Sequence, residues 1–334
     1  IELDSLLEVK NLNIYLKKKK ERIQAVSNVS FCIEKGKTLG IIGESGSGKS
    51  ITSYAIMGLL DKKLWDVTGE VYMNGEPLDY KNDKIMQRIR GSRIALIMQN
   101  PMSAFNPVIS IGAHFVETIN KSGEEKKSNQ EIKKRALELM EKMRIRDPEA
   151  VYRSYAFQLS GGMLQRIMIA LALVSEPELL VADEPTTALD LTVQHEIINI
   201  LHEMQNKYNT SILIVSHDLG VISHLADNIA VMYAGVFMEK GGAEEILRSP
   251  SHPYTEGLFA SRPAFSKERL SIMPGQPPRL EERGKGCPFY TRCSISGSGC
   301  ENYEPDEETE LAGDEVRCLY KNTINKDKVG TLCH

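Results

Sequence analysis

The chain has 334 residues, with 41 basic against 45 acidic side chains, a net charge of −4 and a pI near 6.1. That balance speaks against a protein that coats nucleic acid, whose surface needs a surplus of cations to displace counterions. With 41% hydrophobic and 26% charged residues the chain has the composition of a folded protein, long enough for about two domains. Its longest apolar run, residues 167–174, spans eight positions, whereas a bilayer-crossing helix needs roughly 20. No charged-then-apolar leader opens the chain, so a cytoplasmic location is expected.

In chain order, Leu7, Val9, Leu12 and Ile14 alternate with polar residues, as do Val26, Val29, Phe31 and Ile33 beyond a basic run at 17–20. The pattern predicts a hairpin-type antiparallel sheet. Thr38-Leu39-Gly40-Ile41-Ile42 reads as a short buried strand, running into Gly43-Glu44-Ser45-Gly46-Ser47-Gly48-Lys49-Ser50 and a helix to about Leu60. Further buried strands are predicted from Ile94 to Met98, ending at Gln99, from Leu179 to Ala182, ending at Asp183-Glu184, and from Ile212 to Val215, ending at Ser216-His217. Polar groups at the ends of several buried strands are where an open α/β sheet places its ligand. Residues 129–174 have helical periodicity, with Ile132, Ala136, Leu139, Met140 and Met143 on one face, which predicts a helical insert. After about residue 245 prolines thicken (Pro250, Pro253, Pro263, Pro274, Pro277, Pro278) and the stretch 301–315 carries eight carboxylates, predicting a loop-rich extension.

Residues 43–50 match G-x-x-x-x-G-K-[ST]. Glycines let the backbone wrap a phosphate chain with successive amides pointing inward at the positive end of the following helix. In that reading Lys49 reaches the β and γ phosphates and the Ser50 hydroxyl holds magnesium. A mere glycine-rich turn is the alternative, and the strand-to-helix context disfavours it. Asp183 and Glu184 leave a buried strand on the same side, so one carboxylate can hold Mg²⁺ and the other orient a hydrolytic water. Taken alone, such a pair is as readily a helix-start charge.

Leu159-Ser160-Gly161-Gly162-Met163-Leu164-Gln165-Arg166 resembles the signature motif of ABC ATPases. Gln99 resembles the Q-loop glutamine, Ala188-Leu189-Asp190 the D-loop and His217 the switch histidine, all in that family's order over residues 7 to about 240. The resemblance implies an α/β fold of the ABC-type P-loop ATPase class: a RecA-like core sheet, an antiparallel β subdomain and a helical signature subdomain at about 100–175. The ATPase domain would span 1–245, and a small extension 246–334. ATP and Mg²⁺ follow as cofactors. By the same resemblance Gly43, Glu44, Ser45, Gly46, Ser47, Gly48, Lys49, Ser50, Ile51 and Tyr15 bind ATP, while Ser50, Gln99 and Asp183 serve the magnesium. Glu184, His217 and Gln99 are catalytic, and Ser160, Gly161, Gly162 and Asp190 meet the ATP of a head-to-tail partner. A serine hydroxyl and two glycine amides at a helix N-terminus make physical sense as a second anion site. Met163 stands where the family usually has glutamine, and Leu164 where the oligopeptide branch often has arginine. Tyr15, the candidate to stack on adenine, lies one residue from the common position, which Leu16 holds; a surface strand tyrosine is the other reading.

Gln99-Asn100-Pro101-Met102-Ser103-Ala104-Phe105-Asn106-Pro107-Val108-Ile109-Ser110-Ile111-Gly112 resembles the segment of dipeptide, oligopeptide and nickel importers that faces their membrane subunits. Ser251-His252-Pro253-Tyr254-Thr255, Gly275-Gln276-Pro277-Pro278 and Cys287-Pro288-Phe289-Tyr290-Thr291-Arg292-Cys293 resemble the C-terminal extension of the same branch. This implies an ATP-hydrolysing subunit, peripheral on the cytoplasmic face of the membrane, that powers import of dipeptides or oligopeptides. Its implied partners are two transmembrane permease subunits, a sister ATPase or second copy and, indirectly, an extracytoplasmic substrate-binding protein, with no nucleic acid. A soluble ABC ATPase, for example of the phosphonate-metabolism type, and an importer of nickel or glutathione are the alternatives. Of six cysteines only Cys32 lies outside the last fifth of the chain. The spacing C-x5-C-x6-C-x17-C lacks the tight pair favoured by zinc and suits an iron–sulfur cube. A [4Fe–4S] cluster on Cys287, Cys293, Cys300 and Cys318, as some members of this branch hold, is therefore expected, with zinc or unligated thiols as alternatives and Cys333 free.

Overall fold

Side chains that alternate along short buried strands decide the architecture, because both faces of the sheet they form must be covered. The computed structural model describes residues 5–18, 21–121, 128–187, 190–261, 273–303 and 315–320. Ala188, Leu189, Pro263, Cys333 and most of the acidic stretch at 301–315 lie outside the described residues. The strands are β1 (Ser5–Lys18), β2 (Glu21–Glu34), β3 (Thr38–Ile42), β4 (Trp65–Met73), β5 (Glu76–Pro77), β6 (Ile94–Ile97), β7 (Leu179–Asp183), β8 (Ser211–Ser216), β9 (Asn228–Tyr233), β10 (Val236–Gly242) and β11 (Glu315–Val316). The α-helices are α1 (Lys49–Ile56), α2 (Asp83–Ile89), α3 (Ile111–Lys121), α4 (Asn129–Lys142), α5 (Pro148–Arg153), α6 (Gly161–Leu173), α7 (Leu191–Tyr208), α8 (Leu219–Leu225), α9 (Ala243–Arg248) and α10 (Pro253–Ala260).

The expected hairpin forms the start of a four-stranded antiparallel sheet in the order β2-β1-β4-β5, beside a seven-stranded sheet in the order β11-β10-β9-β3-β8-β7-β6. In the larger sheet β9, β3, β8, β7 and β6 run parallel, and β10 and β11 close one edge antiparallel. Leu39, Ile41, Leu179, Val181, Leu213 and Val215 share one core with α1 and the antiparallel sheet. Their neighbours Ile42, Leu180, Ala182, Ile212 and Ile214 share the other with α3 to α8. The two-residue period of each strand thus divides its side chains between two covers. Because the strands are parallel, the residues that follow β3, β6, β7 and β8 emerge along one edge.

The helical insert expected over 129–174 consists of three α-helices: α4, opened by a reciprocal Ser128–Glu131 capping box, then α5 and α6. The break falls where Arg144 and Asp147 take left-handed φ angles of 55° and 49° and Pro148 starts α5, since proline has no N–H with which to prolong a preceding helix. The helix after the glycine loop stops at Ile56 rather than near Leu60. Just beyond it, a Cβ on Gly58 would stand 2.4 Å from the Tyr80 carbonyl oxygen.

The described residues after 245 pack onto the larger sheet. Tyr254, Leu258, Phe259, Cys287 and Phe289 join the α3–α8 core, and β11 places Val316 opposite Glu239. His252, 1% exposed, caps α10 by accepting the Tyr254 N–H on Nδ1 at 2.9 Å, while the Glu239 carboxylate accepts the N–H groups of Ser251 and His252. Burial pushes the His252 imidazole down to about 3 from an ordinary 6.5. An unfolded chain therefore takes up a proton as pH falls through 6.5 that the folded chain refuses until about 3, and stability drops across that window by up to about 1.4 kcal/mol per pH unit from this group. Glu239, which burial pushes up, acts with the opposite sign just above the ordinary carboxylate range. His252→Asn keeps a capping acceptor and is expected to flatten the decline in urea-unfolding free energy between pH 6.5 and 4. Parallel decline in both proteins would contradict a buried neutral imidazole.

Candidate functional site

All five residues of β3 are buried, and the strand delivers the chain into the glycine loop with no slack. Gly43 (φ 154°) passes so close to β9 that a Cβ there would lie 2.1 Å from the Met232 carbonyl oxygen. Gly48 (φ 111°) is the residue from which α1 starts, in a conformation that favours glycine. The ammonium of Lys49, 5% exposed, donates to the carbonyl oxygens of Gly43 and Glu44, each at 2.9 Å. Burial lowers its pKa, and the carboxylates of Glu184, Asp183 and Glu44 oppose that shift. The ammonium thus lines the cleft beside the glycine-loop amides, a charged donor placed to meet an anion.

The next residue, Ser50, donates from Oγ to Asp183 Oδ1 at 2.7 Å, and one turn further on Tyr54 OH donates to Asp183 Oδ2 at 2.6 Å. Burial, with that hydrogen bond second, holds the Tyr54 phenol above its ordinary pKa. Asp183 at the end of β7 is therefore aimed at Ser50 and orientated by a tyrosine that motif reading does not single out.

Glu184 has a left-handed φ of 48°, which turns its carboxylate out of the strand and towards its neighbours. Gln99 Nε2 and Thr187 Oγ1 both donate to Oε2 at 2.9 Å, and His217 Nδ1 lies 3.1 Å from Oε1. The three expected catalytic residues, borne by the ends of β6, β7 and β8, are thereby brought into direct contact. Gln165, buried in α6, donates from Nε2 to the Pro185 carbonyl oxygen at 2.6 Å, tying the signature helix to the turn after Glu184. Sequence reading assigns no such role to Thr187 or Gln165, although both stand within or beside recognised motifs.

A cleft of about 930 Å³ runs along these groups, lined by Glu44, Ser45, Gly46, Gly48, Lys49, Ser50 and Ile51 on one side and by Gln99, Glu184 and His217 on the other. Trp65 is its aromatic wall. Tyr15 is not among the described residues that line it; the Arg22 guanidinium covers the Tyr15 ring at 4.3 Å. β1 has register shifts on both sides of Ile14, and the antiparallel pairing sets Leu16 opposite Trp65, so that β4 rather than β1 supplies the ring. Ser160 and Asp190 are exposed and cap α6 and α7 by accepting the N–H groups of Met163 and Val193. Neither they nor Gly161 and Gly162 line this chain's own cleft.

Four cysteines gather in the C-terminal segment. Cys287 and Cys300 are buried, Cys293 and Cys318 half-buried, and all are free thiols. Burial pushes the Cys287 thiol up to about 11, the Phe289 N–H bond opposes this, and Cys318, Cys293 and Cys300 add to it. The N–H groups of Ile295 and Tyr320 likewise donate to Cys293 and Cys318. Soft thiols with backbone donors aimed at them suit iron–sulfur or zinc chemistry. Among the described residues, however, no three of His, Cys, Asp or Glu form a ready-made metal site, so the expected cluster does not follow from the structure.

The fold and the cleft define an ABC-type ATPase. Residues 26–187 match the ABC transporter family, and residues 238–300 match the oligopeptide/dipeptide transporter C-terminal region. The oligopeptide transport ATP-binding protein OppD of Bacillus subtilis is 45% identical over 89% of this chain and 83% of its own length. The dipeptide transport ATP-binding protein DppD of Escherichia coli is 38% identical over 95% and 97%. Among solved structures, a dimeric post-hydrolysis state of the ATP-binding cassette MJ0796 bound to ADP and Pi superposes with a TM-score of 0.64 at 27% identity, covering 71% of this chain and 98% of that one. The chain belongs to the ATP-binding proteins of the ABC transporter family, in the oligopeptide and dipeptide branch.

Proposed function

We propose that this chain binds and hydrolyses MgATP to power import of dipeptides or oligopeptides, working at the cytoplasmic face of a membrane with two permease subunits and a second ATPase. The observation that carries the hydrolytic part is the meeting of Glu184 with Gln99, Thr187 and His217 beside Lys49, Ser50 and Asp183. The peptide part rests on the C-terminal region match and on what the relatives are named for, which do not favour the nickel, glutathione and soluble-ATPase readings.

In this reading the amides of the glycine loop and Lys49 hold the phosphates, and Ser50 and Asp183, with Gln99, serve Mg²⁺, which when bound neutralises charge on the phosphates. Glu184 takes a proton from the attacking water, and His217 orients that water and the γ-phosphate. Exposed Ser160, Gly161 and Asp190 and half-buried Gly162 are left to a partner's nucleotide, in keeping with the dimeric cassette similar in fold. A contact face for the permease fits the exposed apolar residues Met102, Val108, Tyr155 and Phe157, since the bridge between Ser110 and Tyr155 joins their two segments. Among the described residues no helix is long and apolar enough to cross a membrane, in keeping with a peripheral subunit. We assign 1–245 to the ATPase domain, with its helical part at about 100–175, and 246–334 to the extension.

The test is capture of the chain from gently solubilised membranes: two multi-span proteins and a second ATPase, with turnover raised by a peptide-binding protein, are the expected result. Recovery only with soluble enzymes would refute the transport role and leave the ATP site standing.

We also propose that Cys287, Cys293, Cys300 and Cys318 hold an iron–sulfur cluster, with zinc as the alternative, whose contribution is to the folding of the extension. Protein purified without oxygen is expected to carry iron and acid-labile sulfide, and Cys287→Ser to lose both while melting at lower temperature. Metal content unchanged in Cys287→Ser would reject this ligand assignment.

A further inference from the structure

Glu44, the second residue of the phosphate-binding loop, is held from three directions. Its N–H donates to Tyr254 OH at 2.9 Å, its carbonyl oxygen accepts from Lys49 at 2.9 Å, and its carboxylate receives both prongs of the Arg292 guanidinium. Nη1 lies 2.8 Å from Oε2 and Nη2 lies 3.1 Å from Oε1. Tyr254 and Arg292 both come from the C-terminal segment, and Arg292 is the residue before Cys293.

The clamp is built rather than incidental. Arg292 is 8% exposed, its Nε donates to the Pro274 carbonyl oxygen at 2.8 Å, and Nη1 also donates to Tyr233 OH at 3.2 Å. Its guanidinium lies over the rings of Tyr233 and Phe289 at 5.6 and 5.7 Å, and those two rings pack edge to face with centroids 5.4 Å apart. An arginine enclosed on these sides presents a fixed fork, and two-pronged carboxylate pairing is both strong and geometrically specific. Electrostatics gives the pairing a purpose. Glu44 puts a negative charge at the rim of a cleft whose other residues are arranged to receive polyphosphate, and in a partly buried cleft that repulsion is poorly screened.

We propose that Arg292 is a positioning residue for the nucleotide: from the cysteine-bearing segment it fixes Glu44 within the phosphate-binding loop and cancels a charge that would repel ATP. The extension thereby reaches into the ATP site itself, and whatever displaces the segment around Cys293 changes how the loop receives phosphate. This rests on the assignment of the cleft to ATP.

The experiment is equilibrium binding of ATP to the full chain, with thermal unfolding recorded alongside. Arg292→Gln is expected to raise the Kd for ATP about tenfold by leaving Glu44 unpaired, the loss of two charge-assisted hydrogen bonds. Adding Glu44→Gln to that variant removes the stranded charge and is expected to return the Kd to within about threefold of the wild type, a recovery that only coupled neighbours can give. Arg292→Lys, which keeps the charge and covers the case of a poorly folded glutamine variant, is expected to raise KM for ATP about threefold with kcat at saturation within about twofold. A lowered melting temperature with Kd and KM unchanged in these variants, or a double variant weaker than Arg292→Gln, would overturn the proposal and leave Arg292 a structural strut. Failure of the wild type to bind ATP would instead refute the assignment of the cleft.

Discussion

Glu184→Gln is expected to lower ATP turnover by at least about 10²-fold, the usual contribution of a positioned general base, while ATP binding persists and an ATP-dependent dimer accumulates. The substitution fits the site. The amide oxygen can take the place of Oε2 and keep both donors, Gln99 and Thr187, and the amide nitrogen then faces His217 Nδ1, which accepts in one tautomer. The fold around the cleft is therefore expected to survive, and the loss to fall on the one property an amide lacks, the capacity to accept the proton of the attacking water. Hydrolysis is also what would dismantle a nucleotide-bridged dimer, so a variant that binds without hydrolysing should remain closed. Steady-state phosphate release, with size-exclusion profiles with and without ATP, measures both. Turnover within tenfold of the wild type would remove Glu184 from its assigned role.

Lys49→Ala should be comparably severe at a different step. The ammonium lies among three acids, Glu184, Asp183 and Glu44, and with Glu44 paired to Arg292 its removal leaves Glu184 and Asp183 to meet the phosphates. Loss of two or more charge-assisted hydrogen bonds, about 1.5–3 kcal/mol each, corresponds to ATP binding weaker by roughly 10²-fold or more. Stability should fall little. Burial disfavours the Lys49 charge, so truncation relieves a desolvation cost, and of the two carbonyl oxygens it releases that of Glu44 borders the cleft, where water can serve it. Kd for ATP, read beside the melting temperature, separates the two effects; an affinity within threefold of the wild type would show that the phosphates bind elsewhere.

The parts of the site that could be read from sequence are those whose chemistry is contiguous. A phosphate loop needs its glycines, lysine and serine in a row, so residues 43–50 announce themselves. Asp183-Glu184 and His217 follow short apolar runs that can only be buried strands. Contacts between distant elements leave no such mark. Tyr54 meets Asp183 across 129 positions of chain and Arg292 meets Glu44 across 248, and neither residue belongs to a spacing rule that would pair them. The aromatic wall is a related case. Counting along β1 leaves Tyr15 open between stacking on adenine and lying on the strand surface, and only the register shifts flanking Ile14 and the pairing of β1 with β4 bring Trp65 to the cleft. The helix after the glycine loop ends before Leu60 because the chain at Gly58 closes on the Tyr80 carbonyl, and Pro148, which has no N–H, divides the helical insert.

The amino-acid sequence by itself determined an open α/β sheet, the phosphate loop and which acid, amide and imidazole follow the buried strands, because alternation and local spacing carry that information along the chain, whereas their roles follow from the resemblance to ABC ATPases. Only the tertiary structure decided that Gln99, Thr187 and His217 share one carboxylate, that Tyr54 aims Asp183, and that the cysteine-bearing segment grips Glu44. Those meetings depend on parallel strands aligned at a common edge and on a C-terminal segment packed back against the sheet, and such geometry is set by the burial of two whole cores rather than by any local run of residues.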